Sequence, residues 1–367
     1  MLLLPIANGG RAEWKIWIMS TWLESLDVQS EDETLLSMPG RQFNNLERFD
    51  TDVFIIGAGN AAIALAARLK ALGVESVMAE RNANVGDNWA LRYDCMRFHL
   101  PTAFCELPYM CYDKHLQYPH LLTRDDLADQ VRRYVAAFNL NVITSTQIKS
   151  TLYDQSSQRW TITFQTPAGQ RTAVSKHLVQ ATGIGSQKPY LPPIADRHLY
   201  KGISLHSAQY KSAAKLKEQG VKTVLIIGSA NTAFDVLEDC HAAGLTATLV
   251  ARSPTYLIPL SYITSPLSLG AYDSLSSVAA ADALFLTLPS FTDAHLSHAL
   301  FASFAAQEPH RYAAVAAAGF PIVDSRDKKG VLMHHLLERA GGHYVDVGGT
   351  RLIAEGGVRF DPTRATI

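Results

Sequence analysis

The feature that most constrains this chain is a strand, a glycine turn and a helix that occur together twice. Val53-Phe-Ile-Ile56 is a short, wholly apolar run, the pattern of a strand covered on both faces of a parallel sheet. Gly57-Ala-Gly59-Asn60-Ala-Ala62 follows. Small, helix-favouring residues continue to Leu72, and Gly73 supplies the stop. Ser76-Val-Met-Ala-Glu80 then reads as a second strand. Together they make a βαβ unit of about 30 residues. The grammar returns at Thr223-Val-Leu-Ile-Ile227, the turn Gly228-Ser-Ala230-Asn231-Thr232-Ala233, a helix through His241 that stops near Gly244, and the strand Thr246–Ala251, which runs into Arg252 and Ser253.

Each turn is suited to a diphosphate. Free N–H groups and the positive dipole end of the helix face the anion. Gly57 allows the tight turn, Gly59 lets the backbone approach the phosphate, and Ala62 keeps helix and strand close. Glu80, with Arg81 beside it, stands where a carboxylate accepts hydrogen bonds from ribose hydroxyls. That carboxylate would repel a 2′-phosphate, whereas Arg252 and Ser253 would attract one. The first site therefore suits FAD or NAD and the second suits NADP. At the second site Ala230 stands in place of the middle glycine, where its methyl crowds the pyrophosphate. The units lie too far apart to be halves of one site. The fold class expected is α/β, with two Rossmann-like dinucleotide-binding domains.

Composition narrows the function. In 367 residues Lys plus Arg number 33 against 34 for Asp plus Glu, a net charge of −1. No basic excess exists to drive binding to a phosphate backbone, so no nucleic-acid partner is expected. Four cysteines, Cys95, Cys105, Cys111 and Cys240, form no CxxC pair and no zinc-like spacing, and no metal site is expected. A disulfide framework is equally unsupported, and a reducing, cytoplasmic setting without an integral membrane segment is the expectation. Two dinucleotide sites imply an electron relay from NADPH through flavin to an acceptor. Cys105 and Cys111 are poorly spaced for a redox disulfide, which leaves dioxygen.

The remaining chain divides unevenly. Residues 1–50 read as an N-terminal extension in which Trp14, Trp17 and Trp22 are expected to pack, as the tail of an upstream domain or as a strap over the main body. Arg159–Phe164 and Thr172–Val174 alternate about the turn at Pro167-Ala-Gly169 as a β-ribbon. His177–Gly183 is a strand running into a glycine turn, and residues 260–320 are mostly helical by pattern.

Several motifs resemble those of class B flavin monooxygenases. Tyr200-Lys-Gly202-Ile-Ser-Leu-His206-Ser-Ala-Gln-Tyr210 resembles the family's FxGxxxH signature, with Tyr200 in place of Phe. Gly86-Asp-Asn-Trp89 and Arg92-Tyr-Asp94 resemble its flavin-facing segment, and Ala181-Thr182-Gly183 its turn between domains. His99-Leu-Pro-Thr-Ala-Phe-Cys-Glu-Leu-Pro108 is similar to the plant YUCCA type, which oxidises indole-3-pyruvate.

The resemblance implies an FAD domain with an inserted NADPH domain. Residues 51–200 would form the first part of the FAD domain and 201–325 the NADPH domain. Residues 326–367 would begin an incomplete return to the FAD domain, so the chain is expected to be truncated. It further implies an FAD-dependent, NADPH-consuming monooxygenase acting through a flavin C4a-hydroperoxide on a small organic substrate with O2. His206, Tyr210 and His99 would stand in its catalytic centre, and Trp89, Thr182 and Gly183 against the flavin. A nucleotide-binding remnant without turnover and an uncoupled NADPH oxidase are the alternatives. A 2-oxo acid, an amine and a ketone stay open as substrates, and a homodimer is allowed.

Overall fold

The computed structural model describes residues 2–8, 11–21, 23, 29–43, 46–183, 189–273, 275 and 277–361. Strands β1 (Leu2–Asn8) and β2 (Arg11–Ile18) form an antiparallel hairpin. The packing expected of the tryptophans is absent there: Trp14 is 63% and Trp17 43% exposed. Trp22 lies outside the described residues.

The first unit is a six-stranded sheet ordered β5-β4-β3-β8-β7-β6. Its members are β3 (Arg48–Ile56), β4 (Ser76–Ala79), β5 (Val142–Ile143), β6 (Gln147–Asp154), β7 (Arg159–Thr166) and β8 (Gly169–Gln180). Strand β3 lies parallel to β4 and β8, as does β4 to β5. The β-ribbon of β6, β7 and β8 is antiparallel. Helix α1 (Asn60–Ala71) buries Ala62, Ile63, Ala66 and Ala67 against β3 and β4. The alanines on its inner face let helix and sheet approach closely. Helix α2 (Asp87–Ala90) is one short turn, and α3 (Arg124–Ala137) opens with a capping box between Thr123 and Asp126.

The second unit begins with α4 (Ala213–Glu218), β9 (Thr223–Ile227), α5 (Asn231–Ala242) and β10 (Thr246–Val250). Strands β9 and β10 are parallel, and β14 (Arg359–Asp361) adds parallel to β10 on its other side. A second parallel sheet, ordered β12-β11-β13, joins β11 (Thr255–Pro259) to β12 (Ile322–Val323) and β13 (His343–Asp346). Between them run α6 (Leu260–Ile263), α7 (Val278–Phe285), α8 (Ser290–Gln307) and α9 (Ala313–Ala317), the helical stretch the composition suggested. Helix α10 (Gly349–Ala354) follows β13.

Strand β13 pairs with β11 and β14 with β10, so residues 343–346 and 359–361 lie in the second unit's own sheets. Strand β9, although as apolar in sequence as β3, is an edge strand that leaves Leu225 61% and Ile227 51% exposed. By contrast Phe54 and Ile55 of β3 are wholly buried. No helix among the described residues is long and apolar enough to cross a membrane.

His343 on β13 is buried, and burial, then the neighbouring His335, pull its imidazole down to about 4 from an ordinary 6.5. The unfolded chain therefore takes up this proton first as the pH falls. Stability from this group is full above about pH 6.5 and is lost progressively toward pH 4, by about 3 kcal/mol. Urea denaturation at pH 7 and at pH 4.5 should show that loss, and His343→Leu should reduce the difference between the two midpoints.

Candidate functional site

The first glycine turn is held by the strands on either side of it. Gly57 donates its N–H to the Ala79 carbonyl at 2.8 Å, and Ala181 donates to Ile56 at 2.9 Å. Gly57 has φ +108°, and a Cβ there would lie 2.5 Å from the Ala181 carbonyl oxygen. Only glycine fits. This contact sets the Ala181-Thr182-Gly183 turn directly against the first fingerprint, with Gly183 itself at φ +83°. Gly59 differs: a Cβ would meet only Asn88 Nδ2, at 3.6 Å. The space in front of it is open, as a phosphate cradle requires. Glu80 is buried, and its Oε2 accepts from the Ala58 N–H at 3.0 Å and its Oε1 from Asn82 at 2.9 Å. The carboxylate thus braces the turn while keeping lone pairs for a ribose hydroxyl. Arg81 beside it is exposed. Trp89 donates its indole N–H to Asn60 Oδ1 at 2.9 Å, and the Arg92 guanidinium lies over its ring at 5.0 Å. These residues fit the pyrophosphate and ribose of a dinucleotide.

The second turn is built alike with one difference. Gly228 has φ +127° with open space around it, and its N–H bonds the Val250 carbonyl at 2.9 Å. Ala230 takes the N-cap of α5 at φ −92°, a conformation any residue adopts. Asn231 Oδ1 accepts from the Val345 N–H at 2.9 Å, which ties the turn to β13. Thr232 begins the helix beside it, and the Ala233 N–H closes onto the Ala230 carbonyl at 2.8 Å. Arg252 and Ser253 are exposed at the end of β10, free to meet a phosphate.

Of the three residues expected in the catalytic centre, Tyr210 and His99 meet acids of α5 and His206 caps a short turn. His206 caps a single helical turn, accepting the Ala208 N–H on Nδ1 at 3.0 Å. Tyr210 is buried, and its hydroxyl donates to Asp239, which also accepts the Ala213 N–H at 2.7 Å. His99 is buried with Nε2 3.2 Å from Asp235 Oδ1. Both acids belong to α5. Sequence reading missed Asp235, Glu238 and Asp239 as a group. The available signal was their spacing, three acids on the inner face of a helix whose neighbours Phe234, Leu237 and Cys240 are apolar. Glu238, which accepts from the Tyr344 hydroxyl at 3.1 Å, is pushed up by burial.

Residues 54–277, more than half of the chain, match the family model described as pyridine nucleotide-disulphide oxidoreductase. The chain belongs to that family. Its relatives include a probable indole-3-pyruvate monooxygenase, YUCCA10 of Arabidopsis thaliana, 28% identical over 65% of this chain and 61% of the relative. Another is the indole-3-pyruvate monooxygenase YUCCA8 of Oryza sativa subsp. indica, 29% identical over 56% and 49%. The chain thus spans about half to three-fifths of the length of these relatives. Among solved structures, a flavin-containing monooxygenase from Stenotrophomonas maltophilia is similar at a TM-score of 0.48, with 20% identity over 56% of this chain and 59% of that one. A bacillithiol disulfide reductase from Bacillus cereus is similar at 0.48 and 18%, over 62% and 64%.

The family's name raises the question of a redox disulfide here. All four cysteines are free thiols. Burial pushes Cys105 up to about 12 and Cys240 to about 11, and Cys95 is raised by burial and by Asp239 and Asp235. Exposed Cys111 is raised too, by burial and Glu106. Thiolates react and thiols do not, so raised values mean slow thiols at neutral pH. Titration of the native protein with an aromatic disulfide at pH 8 should modify Cys111 first, faster as pH rises, and reach the other three only after denaturation.

Proposed function

We propose that this chain is an FAD-dependent monooxygenase that consumes NADPH and acts on a small organic substrate with O2. The observation that carries this reading is the pair of glycine turns with opposite charge at the following strand: buried Glu80 at the first and exposed Arg252 at the second. The first suits a ribose without a 2′-phosphate and the second a ribose with one. On this reading residues 51–200 are the FAD domain and the NADPH domain runs from 201. Gly57, Gly59, Asn60 and Ala62 would hold the FAD pyrophosphate, Glu80 its ribose, and Trp89, Thr182 and Gly183 would border the flavin. Gly228, Ala230, Asn231, Thr232 and Ala233 would hold NADPH, with Arg252 and Ser253 at the 2′-phosphate. Bound flavin supplies the redox chemistry and the activation of oxygen. The protein's part is placement and exclusion of water. His206 and Tyr210 support that placement by fixing the segment that joins the two domains.

The relatives are named for indole-3-pyruvate, which supports a 2-oxo acid as the first substrate class to try, before an amine and a ketone. A cytoplasmic homodimer is compatible with this reading.

An absorption spectrum of the purified protein, before and after NADPH, tests it. A flavin spectrum that bleaches without oxygen and recovers in air is the expected result. No flavin uptake after added FAD would overturn the reading, and a full yield of peroxide per NADPH would favour an uncoupled oxidase. The two glycines separate cradle from scaffold. Gly59→Ala should leave the melting temperature of the flavin-free chain within about 2 °C while weakening FAD binding, because the new methyl fills the approach to the phosphate. Gly57→Ala should destabilise the chain itself by about 1–3 kcal/mol, since the Cβ meets the Ala181 carbonyl.

A further inference from the structure

A continuous line of contacts runs from the first glycine turn to the second. Asn60, at the start of α1, holds the Trp89 indole at 2.9 Å. Four residues on, buried Tyr93 leaves the first unit and reaches α5. Its hydroxyl donates to Asp235 Oδ2 at 2.7 Å and lies 3.4 Å from Thr232 Oγ1. The other oxygen of Asp235 faces His99 Nε2 at 3.2 Å, and the Cys95 thiol donates to the Asp235 carbonyl at 3.6 Å. Asp235 stands one helical turn after Ala230, so it moves with the second glycine turn. Around this joint one apolar core mixes Tyr93, Met96 and Leu122 of the first unit with Phe234 and Leu237 of α5.

From this geometry we propose that Tyr93 and Asp235 are positioning residues, whose hydrogen bond sets the distance between the two nucleotide sites. The inference rests on the proposed FAD and NADPH sites for its functional meaning. Tyr93 is buried in the joint and meets the second cradle only through Thr232 Oγ1 at 3.4 Å, and the Asp235 side chain points at the first unit. The apolar core could hold the two units together without this bond. The bond adds direction, because one Asp235 oxygen is committed to the Tyr93 hydroxyl while the other faces the buried His99 ring, which limits how α5 can seat. Hydride transfer is steep in distance, so a shift of about 1 Å at the joint would cost about a hundredfold in rate.

The test is Tyr93→Phe, which removes the hydroxyl and keeps the ring, alongside Asp235→Asn and the double variant. In stopped flow without oxygen, the limiting rate of flavin reduction by NADPH should fall about tenfold to a hundredfold in each single variant. FAD retention and the NADPH concentration for half-maximal rate should stay within about twofold. The double variant should be little slower than either single one, as expected for two ends of one bond. An unchanged limiting rate, or a loss that only follows loss of FAD, overturns the proposal. Failure of the parent reading would look different: the wild-type chain would take up no flavin. Hydrogen exchange then decides the joint in the flavin-free protein. Faster exchange in α5 and in residues 93–99 of Tyr93→Phe supports it, and exchange equal to wild type overturns it.

Discussion

The contact on which the architecture turns is that between Gly57 and the Ala181 carbonyl. Any side chain at Gly57 would sit 2.5 Å from that oxygen. Without one, the end of β3 and the end of β8 close on each other, and two things follow. The first turn is fixed by backbone on both sides, so it needs no ligand to take its shape. The chain also leaves the first unit immediately beside the first fingerprint, so the linking segment starts at a defined point. A tight main-chain approach of this kind tolerates no gradual change.

The joint between the units follows a different logic. The core there is apolar, yet the directional contacts are polar and come from one helix. Asp235 and Asp239 take hydroxyls from Tyr93 and Tyr210, and Glu238 takes one from Tyr344. Buried carboxylates cost desolvation unless they are well bonded. Here each has a phenol to accept from, and the phenols in turn lose their freedom to rotate. Tyr210 and His99, which the family resemblance singled out, both meet acids of this helix.

Much of this was legible in the sequence. The strand 223–227 follows from an apolar run closed by Gly228, the strands 76–79 and 246–250 fall within the runs 76–80 and 246–251, and the placement of Glu80 and Arg252 follows from spacing alone. These are local facts, carried by neighbouring residues. What stayed hidden depends on contacts between distant segments. Nothing within Thr223–Ile227 says that it becomes an edge strand with Leu225 and Ile227 uncovered. Nothing near residue 344 says that its strand pairs with β11 rather than with the first sheet. The joint was hidden for the same reason: Tyr93 and Asp235 are 142 positions apart.

The β1–β2 hairpin has a practical consequence for spectroscopy. Trp14 and Trp17 stand in water, whereas Trp89 is partly covered and lies under the Arg92 guanidinium beside the first glycine turn. Intrinsic fluorescence from this chain is therefore a sum of unlike emitters. The hairpin pair emits to the red and is open to soluble quenchers, whether or not the body is folded. Trp89 reports on the nucleotide cleft, and half-buried Trp160 on β7 reports on the ribbon. Iodide or acrylamide would silence the hairpin pair and leave these two, which turns a crowded signal into a simpler one.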